Sequence, residues 1–168
     1  IFVPGIHWEE ENPNWTGNYY QRGIEWEKEV FIEYFENETS QGFRQYAGLR
    51  THGGNARRVD QKGLKIYARS EYGKSEFEYP IFSDKHLATY KRLVLKPILS
   101  AWTQASIQDF IANRLASTME IDAIAIRPVV LYLNGEYWGL YTFGEKIQRG
   151  KNHVDTKKKS KGGFIVKE

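Results

Sequence analysis

The sequence predicts an α+β domain: a curled antiparallel sheet with one main helix packed against it. Three observations predict it. Residues 26–36 alternate apolar and charged side chains, which is the period of a half-buried strand. Residues 126–133 and 136–143 are rich in β-branched and aromatic residues, and Asn134-Gly135 joins them. That pair is the preferred two-residue type I′ hairpin turn. Residues 106–119 carry apolar side chains at helical spacing.

The elements follow in chain order. Residues 1–24 are rich in Gly, Pro, Asn and aromatics and hold the run Glu9-Glu10-Glu11. They read as an irregular arm that Trp8, Trp15, Tyr19 and Tyr20 pin to the body. In the strand at 26–36, Val30, Ile32 and Tyr34 share one face, and Glu27, Glu29 and Glu33 the other. Residues 43–51 and 62–69 read as the next two strands. In the third, Lys62, Leu64, Ile66 and Ala68 share a face, while Lys65, Tyr67 and Arg69 point the other way. Tyr79-Pro80 interrupts the pattern. Residues 90–96 read as a short strand stopped by Pro97.

In the helix at 106–119, Ser106 is placed to cap the first turn and Asp109 stands where a capping-box carboxylate would. Its stripe is Ile107, Phe110, Ile111, Leu115 and Met119. Pro128 puts the first hairpin strand near a sheet edge or a strand start. Residues 146–163 form a basic loop ending in glycines, and Phe164-Ile165-Val166 begins one more strand.

Composition narrows the chemistry. The chain has 168 residues, enough for one domain or one lobe spanning 1–168. Such a chain can bury roughly 70% of its unfolded surface. Apolar residues make up 40% and aromatics 15%, unlike a disordered chain. There is no cysteine, which excludes disulfides, thiolate catalysis and cysteine-bound metal. His7, His52, His86 and His153 lack metal-ligand spacing, so no zinc is expected. No apolar run reaches membrane-spanning length. The net charge of +3 is mild, and no nucleic-acid-binding motif accompanies it, so no nucleic acid partner is expected. The opening Ile1-Phe2-Val3-Pro4-Gly5 carries neither an initiator methionine nor a secretory leader, as in a mature or excised piece.

The most informative segment is Arg50-Thr51-His52-Gly53-Gly54-Asn55-Ala56-Arg57-Arg58, followed by Gln61-Lys62-Gly63-Leu64-Lys65. Adjacent glycines let backbone N–H groups curl around an anion, and flanking arginines and lysines supply countercharge. Gly53, Gly54, Arg57, Arg58, Lys62 and Lys65 are therefore candidate phosphate contacts.

The chain also resembles a known family. The residues that carry the resemblance are Gly17-Asn18-Tyr19-Tyr20-Gln21-Arg22-Gly23, Glu25-Trp26-Glu27, Gly48-Leu49-Arg50-Thr51-His52-Gly53-Gly54, Gln61-Lys62-Gly63-Leu64-Lys65, and Leu131 to Tyr141 continuing to Glu145. Together they resemble the CotH family of atypical kinases, over about residues 5–168. The resemblance implies a kinase-like fold whose small lobe binds ATP with Mg²⁺. It implies phosphorylation of serine or threonine on secreted or coat proteins, and a secreted or bacterial cell-surface location. It also implies that the catalytic and metal-binding aspartates lie C-terminal to Glu168. This stretch is then the nucleotide-side portion, with no catalytic residue of its own.

Each candidate has a plainer role beside the functional one. Lys62 contacts phosphate, with Lys65 as the second choice, or it is a strand-end lysine reaching water. Asp109 pairs with Lys62 or only caps its helix. Arg57 and Arg58 touch phosphate or are solvated turn arginines. Glu145 receives the adenine side or closes a salt bridge, or it is an exposed strand-end carboxylate. Asn134 and Gly135 serve turn geometry, and Lys157-Lys158-Lys159 is a solvated run. The competing reading is a surface module whose aromatics stack on glycan or anchor a protein partner.

Overall fold

A computed structural model describes residues 5–13, 15–37, 40–57, 59–83, 88–98, 111–113, 115–116, 119 and 124–146. Eight strands appear among them. They are β1 (Lys28–Asn37), β2 (Ser40–Thr51), β3 (Leu64–Tyr67), β4 (Phe77–Glu78), β5 (Thr89–Tyr90), β6 (Arg92–Pro97), β7 (Ile126–Leu133) and β8 (Glu136–Glu145). Six of them form one sheet in the order β1-β2-β3-β6-β8-β7. Every neighbouring pair in it is antiparallel. Strands β4 and β5 make a separate two-stranded ribbon. Short 3-10 turns at Gly5–His7, Asn18–Tyr20 and Ile24–Trp26 shape the arm.

Period-two alternation places the core. Tyr34, Phe43, Ala47, Leu49, Leu64, Ile66, Leu93, Leu95, Tyr141 and Phe143 lie on one face and join Phe77, Ile81, Phe82 and Tyr90 from the β4–β5 region. Burying each of the larger side chains contributes about 1.5–3 kcal/mol. Phe43, Phe77, Tyr34 and Tyr79 meet ring to ring. The sheet curls far enough for its two edge strands to touch. Arg127 of β7 sets Nη1 2.7 Å from Oε1 of Glu36 on β1 and also donates to the Ile81 carbonyl. The Tyr34 hydroxyl donates to the other Glu36 oxygen at 2.8 Å.

The β7–β8 hairpin forms as expected. Asn134 has φ 51° and Gly135 φ 83°, the two positive values a type I′ turn needs. Val30 and Ile32 are half-buried and Tyr34 is buried, as the alternation predicts. Glu27 departs from it. It precedes β1 and is 7% exposed.

The expectation of one main helix packed on the sheet needs correcting. Most of 106–119, with Ser106 and Asp109, lies outside the described residues. Helix is assigned only at 111–113 and 115–116 among those described, and Ile111, Leu115 and Met119 of the expected stripe are exposed. The aromatics of the β4–β5 ribbon and Ile81 cover the sheet instead. They supply the apolar surface the helix was expected to bring, so the described fold is a curled antiparallel half-barrel. The expected strand at 164–166 and the loop at 147–163 also lie outside the described residues. No described helix is long and apolar enough to cross a membrane.

Candidate functional site

The glycine turn is folded in on itself. Gly53 has φ 101°, and a 3-10 turn at Asn55–Arg57 follows. The His52 N–H donates to the Gly63 carbonyl at 2.6 Å, and the Gly63 N–H to the Ala56 carbonyl at 2.9 Å. Inside this closed loop lies Lys62, two residues before β3 begins and 7% exposed. Its ammonium donates to the carbonyls of Arg57 at 3.0 Å and Val59 at 3.1 Å. It also stands 4.0 Å from the centre of the Tyr19 ring. Burial pulls its pKa below the usual lysine value, and Asp60 opposes that shift.

Arg57 is buried too. Its Nη1 donates to the Tyr20 carbonyl at 2.7 Å and more weakly to that of Gln21, and its Nη2 to the Thr51 carbonyl at 3.1 Å. Thr51 in turn donates its hydroxyl to the Tyr19 carbonyl. Tyr141, whose phenol burial pushes up to about 12, donates to the Lys62 carbonyl. Lys62 and Arg57 of the glycine turn therefore hold the arm to the sheet. The neutral carbonyls they bind are groups that burial would otherwise leave unsatisfied.

Lys65 stands elsewhere. It faces away from the core, opposite Arg50 on β2 and Val94 on β6. Period two puts Tyr67 and Arg69 on the same face, and the register brings in Arg92, opposite Tyr67. Four cations thus surround one ring. Arg50 lies 4.2 Å from the Tyr67 centroid, Lys65 and Arg69 each 5.0 Å, and Arg92 5.9 Å. Burial, then Arg92 and Arg50, pull the Lys65 pKa down. Lys65 makes no ion pair with any described residue.

Glu27 balances part of this charge. Its side chain is fully buried. Oε1 accepts from Arg69 Nε at 2.6 Å and Oε2 from Arg69 Nη2 at 3.2 Å. Arg50 Nε lies 3.1 Å from Oε2 as an ion pair, and Arg50 Nη1 donates to the Gly23 carbonyl at 2.8 Å. The carboxylate lies over Gly48, where any Cβ would run into it. Glycine is required there by close approach. The arrangement offers an electropositive surface of preset guanidinium groups, which suits a multiply charged anion.

The remaining candidates lie apart. Glu145 ends β8 opposite Leu93, on the core side, and its Oε1 accepts from the Ala125 N–H at 3.3 Å. Gly54 is exposed at the turn tip. Arg58 and Asp109 are outside the described residues. His52 is half-buried, and its pKa falls to about 4 through burial first and then Lys65, Lys146, Arg57 and Lys96. Sequence reasoning missed the group of Arg50, Tyr67, Arg69 and Arg92 around Lys65, and Glu27 with them. The signal was present: Lys65, Tyr67 and Arg69 alternate on one face, and the turn sets Arg50 beside them.

The aromatics divide. Tyr19 is buried, Tyr20 half-buried, and Trp8 and Trp15 exposed. Phe31 and Tyr46 pair edge to face at 5.0 Å, and both are exposed, as are Tyr132 and Tyr137 near the β7–β8 turn. No group of three or more His, Cys, Asp or Glu among the described residues could hold a metal ion.

A family model described as CotH kinase protein matches residues 49–168. No curated protein and no solved structure matches the chain.

Proposed function

The chain belongs to the CotH kinase protein family, and from that premise we propose that it is the nucleotide-binding portion of an atypical protein kinase. ATP supplies the phosphoryl group, and a serine or threonine of a secreted or coat protein receives it. The observation that carries this reading is Lys65 among Arg50, Arg69 and Arg92 on the face of the sheet opposite the core. These cations would hold the phosphates, in place of Lys62 and Arg57, which are spent on backbone carbonyls. Phosphoryl transfer depends on positioning and on cations set where negative charge gathers. The described residues offer no acidic group set for Mg²⁺, and Glu27 is already held by two arginines. No metal ligand is therefore assigned.

Titration with ATP at low ionic strength tests the reading. Wild type binds weakly, at about 1 mM or −4 kcal/mol. Lys65→Ala weakens binding at least about tenfold, the equivalent of about 1.4 kcal/mol. Lys62→Ala leaves affinity nearly unchanged and lowers the melting temperature instead. Equal ATP affinity in wild type and Lys65→Ala removes the assignment.

The exposed Trp8, Trp15, Tyr132 and Tyr137 favour a second reading, a surface module that stacks on glycan or anchors a protein partner. Glycan-array binding lost in Trp8→Ala and Trp15→Ala, with no ATP binding by wild type, would put that reading first.

A further inference from the structure

Resting on the functional reading above, we infer that Glu27 is a positioning residue: it sets Arg50 and Arg69 as a preformed clamp for a polyphosphate chain beside Lys65.

A guanidinium carries five N–H groups. Glu27 takes Nε and Nη2 of Arg69, which leaves Nη1 without a described partner. Glu27 holds Arg50 through an ion pair at Nε that is not a hydrogen bond, and the Gly23 carbonyl takes Nη1, which leaves Nη2 without a described partner. Each arginine is thus fixed by one end and presents the other. Both guanidinium carbons are held within 5.0 Å of the Tyr67 ring centre. Held this way, the side chains lose little entropy when an anion arrives.

Charge decides the ligand class. The four cations around Tyr67 outnumber the carboxylates that face them, Glu27 and, beside Arg69, Glu71. That excess matches a di- or triphosphate chain and exceeds what a single carboxylate ligand needs. Glu27 itself lies between the Ile24–Trp26 turn and β1, ahead of residues 49–168 that the family model covers. The segment leading into β1 is therefore part of the site.

The direction of one mutation separates positioning from bulk charge. Glu27→Gln removes a buried negative charge, so Coulomb attraction alone predicts tighter anion binding. Loss of positioning predicts weaker binding. The probe is inorganic tripolyphosphate, titrated into the 168-residue chain at low ionic strength, with thermal melts in parallel. The expected result is affinity about fivefold to tenfold weaker in Glu27→Gln. Arg69→Lys keeps the charge and loses the two-point bond, so it weakens binding by a similar factor and decides the matter if Glu27→Gln does not fold. Wild-type binding with equal or tighter binding in the folded variants overturns the inference and leaves the functional reading standing. Wild type that binds neither tripolyphosphate nor ATP overturns both.

Discussion

The ammonium of Lys62 stands 4.0 Å from the centre of the Tyr19 ring, and two carbonyls of its own loop take its protons. The contact joins the arm to the turn before β3 without any anion. Lys62→Met keeps the apolar stem and removes the charge. It leaves the buried Arg57 carbonyl and the part-buried Val59 carbonyl without this donor, which costs about 1–3 kcal/mol. Loss of the ring contact adds about 0.5–2 kcal/mol. Urea unfolding should show this loss, and a variant as stable as wild type would refute it.

Arg57 makes a sharper case, because its planar fork reaches Tyr20 and Thr51 at once. A lysine cannot span both. Arg57→Lys should cost about 1–3 kcal/mol, close to the cost of Arg57→Ala. Amide exchange should quicken at Tyr19–Gln21 and stay unchanged in β7 and β8.

His52 gives a pH test. Its folded pKa is about 4, below the ordinary 6.5. Between those values the unfolded chain binds the proton more readily, so stability rises with pH. The contribution is complete above pH 6.5 and disappears as pH falls towards 4. It amounts to about 1–3 kcal/mol. His52→Asn should flatten the stability profile between pH 4 and 6.5, and an unchanged slope there would assign the effect to other groups.

Gly48 tests the seat of Glu27. A methyl group on Gly48 would collide with the Glu27 carboxylate. Gly48→Ala should therefore destabilise the fold by about 1–3 kcal/mol. Gly48→Ala and Glu27→Gln disturb the same contact, so the double variant should lose less than the two single losses together. Strict additivity in denaturant unfolding would mean the two residues do not interact.

Much of the sheet was legible from the sequence because strands announce themselves locally. Alternation fixed the inner face of β1 and β3, and Asn134-Gly135 fixed the hairpin. The covering layer was not legible. Ile111, Leu115 and Met119 have helical spacing, yet Phe77, Ile81, Phe82 and Tyr90 fill the core. Periodicity says that a stripe is apolar and does not say which of two apolar segments wins the sheet. The site failed in a related way. Period two correctly turned Lys62 inward, but pointing inward does not say what is met there. The carbonyls of Tyr20 and Gln21 and the Tyr19 ring, far away in sequence, decided that Arg57 and Lys62 serve the arm. Glu27 was placed outside because β1 was extended two residues too far, from 26, whereas the strand begins at Lys28.

The family match opens at residue 49, inside β2, two residues before that strand ends. A gene fragment cut at that point would discard β1, Tyr19, Glu27 and most of β2. β3 would keep its pairs with Leu49, Arg50 and Thr51 and lose the pair of Tyr67 with Gly48, while Lys62 would lose the Tyr19 ring and Arg57 the carbonyls of Tyr20 and Gln21. The recognisable stretch thus begins after the segments that Arg57 and Lys62 hold. An expression boundary drawn from recognition alone should give a less stable protein than one drawn ahead of Gly5, because it drops β1 and the arm contacts of Arg57 and Lys62.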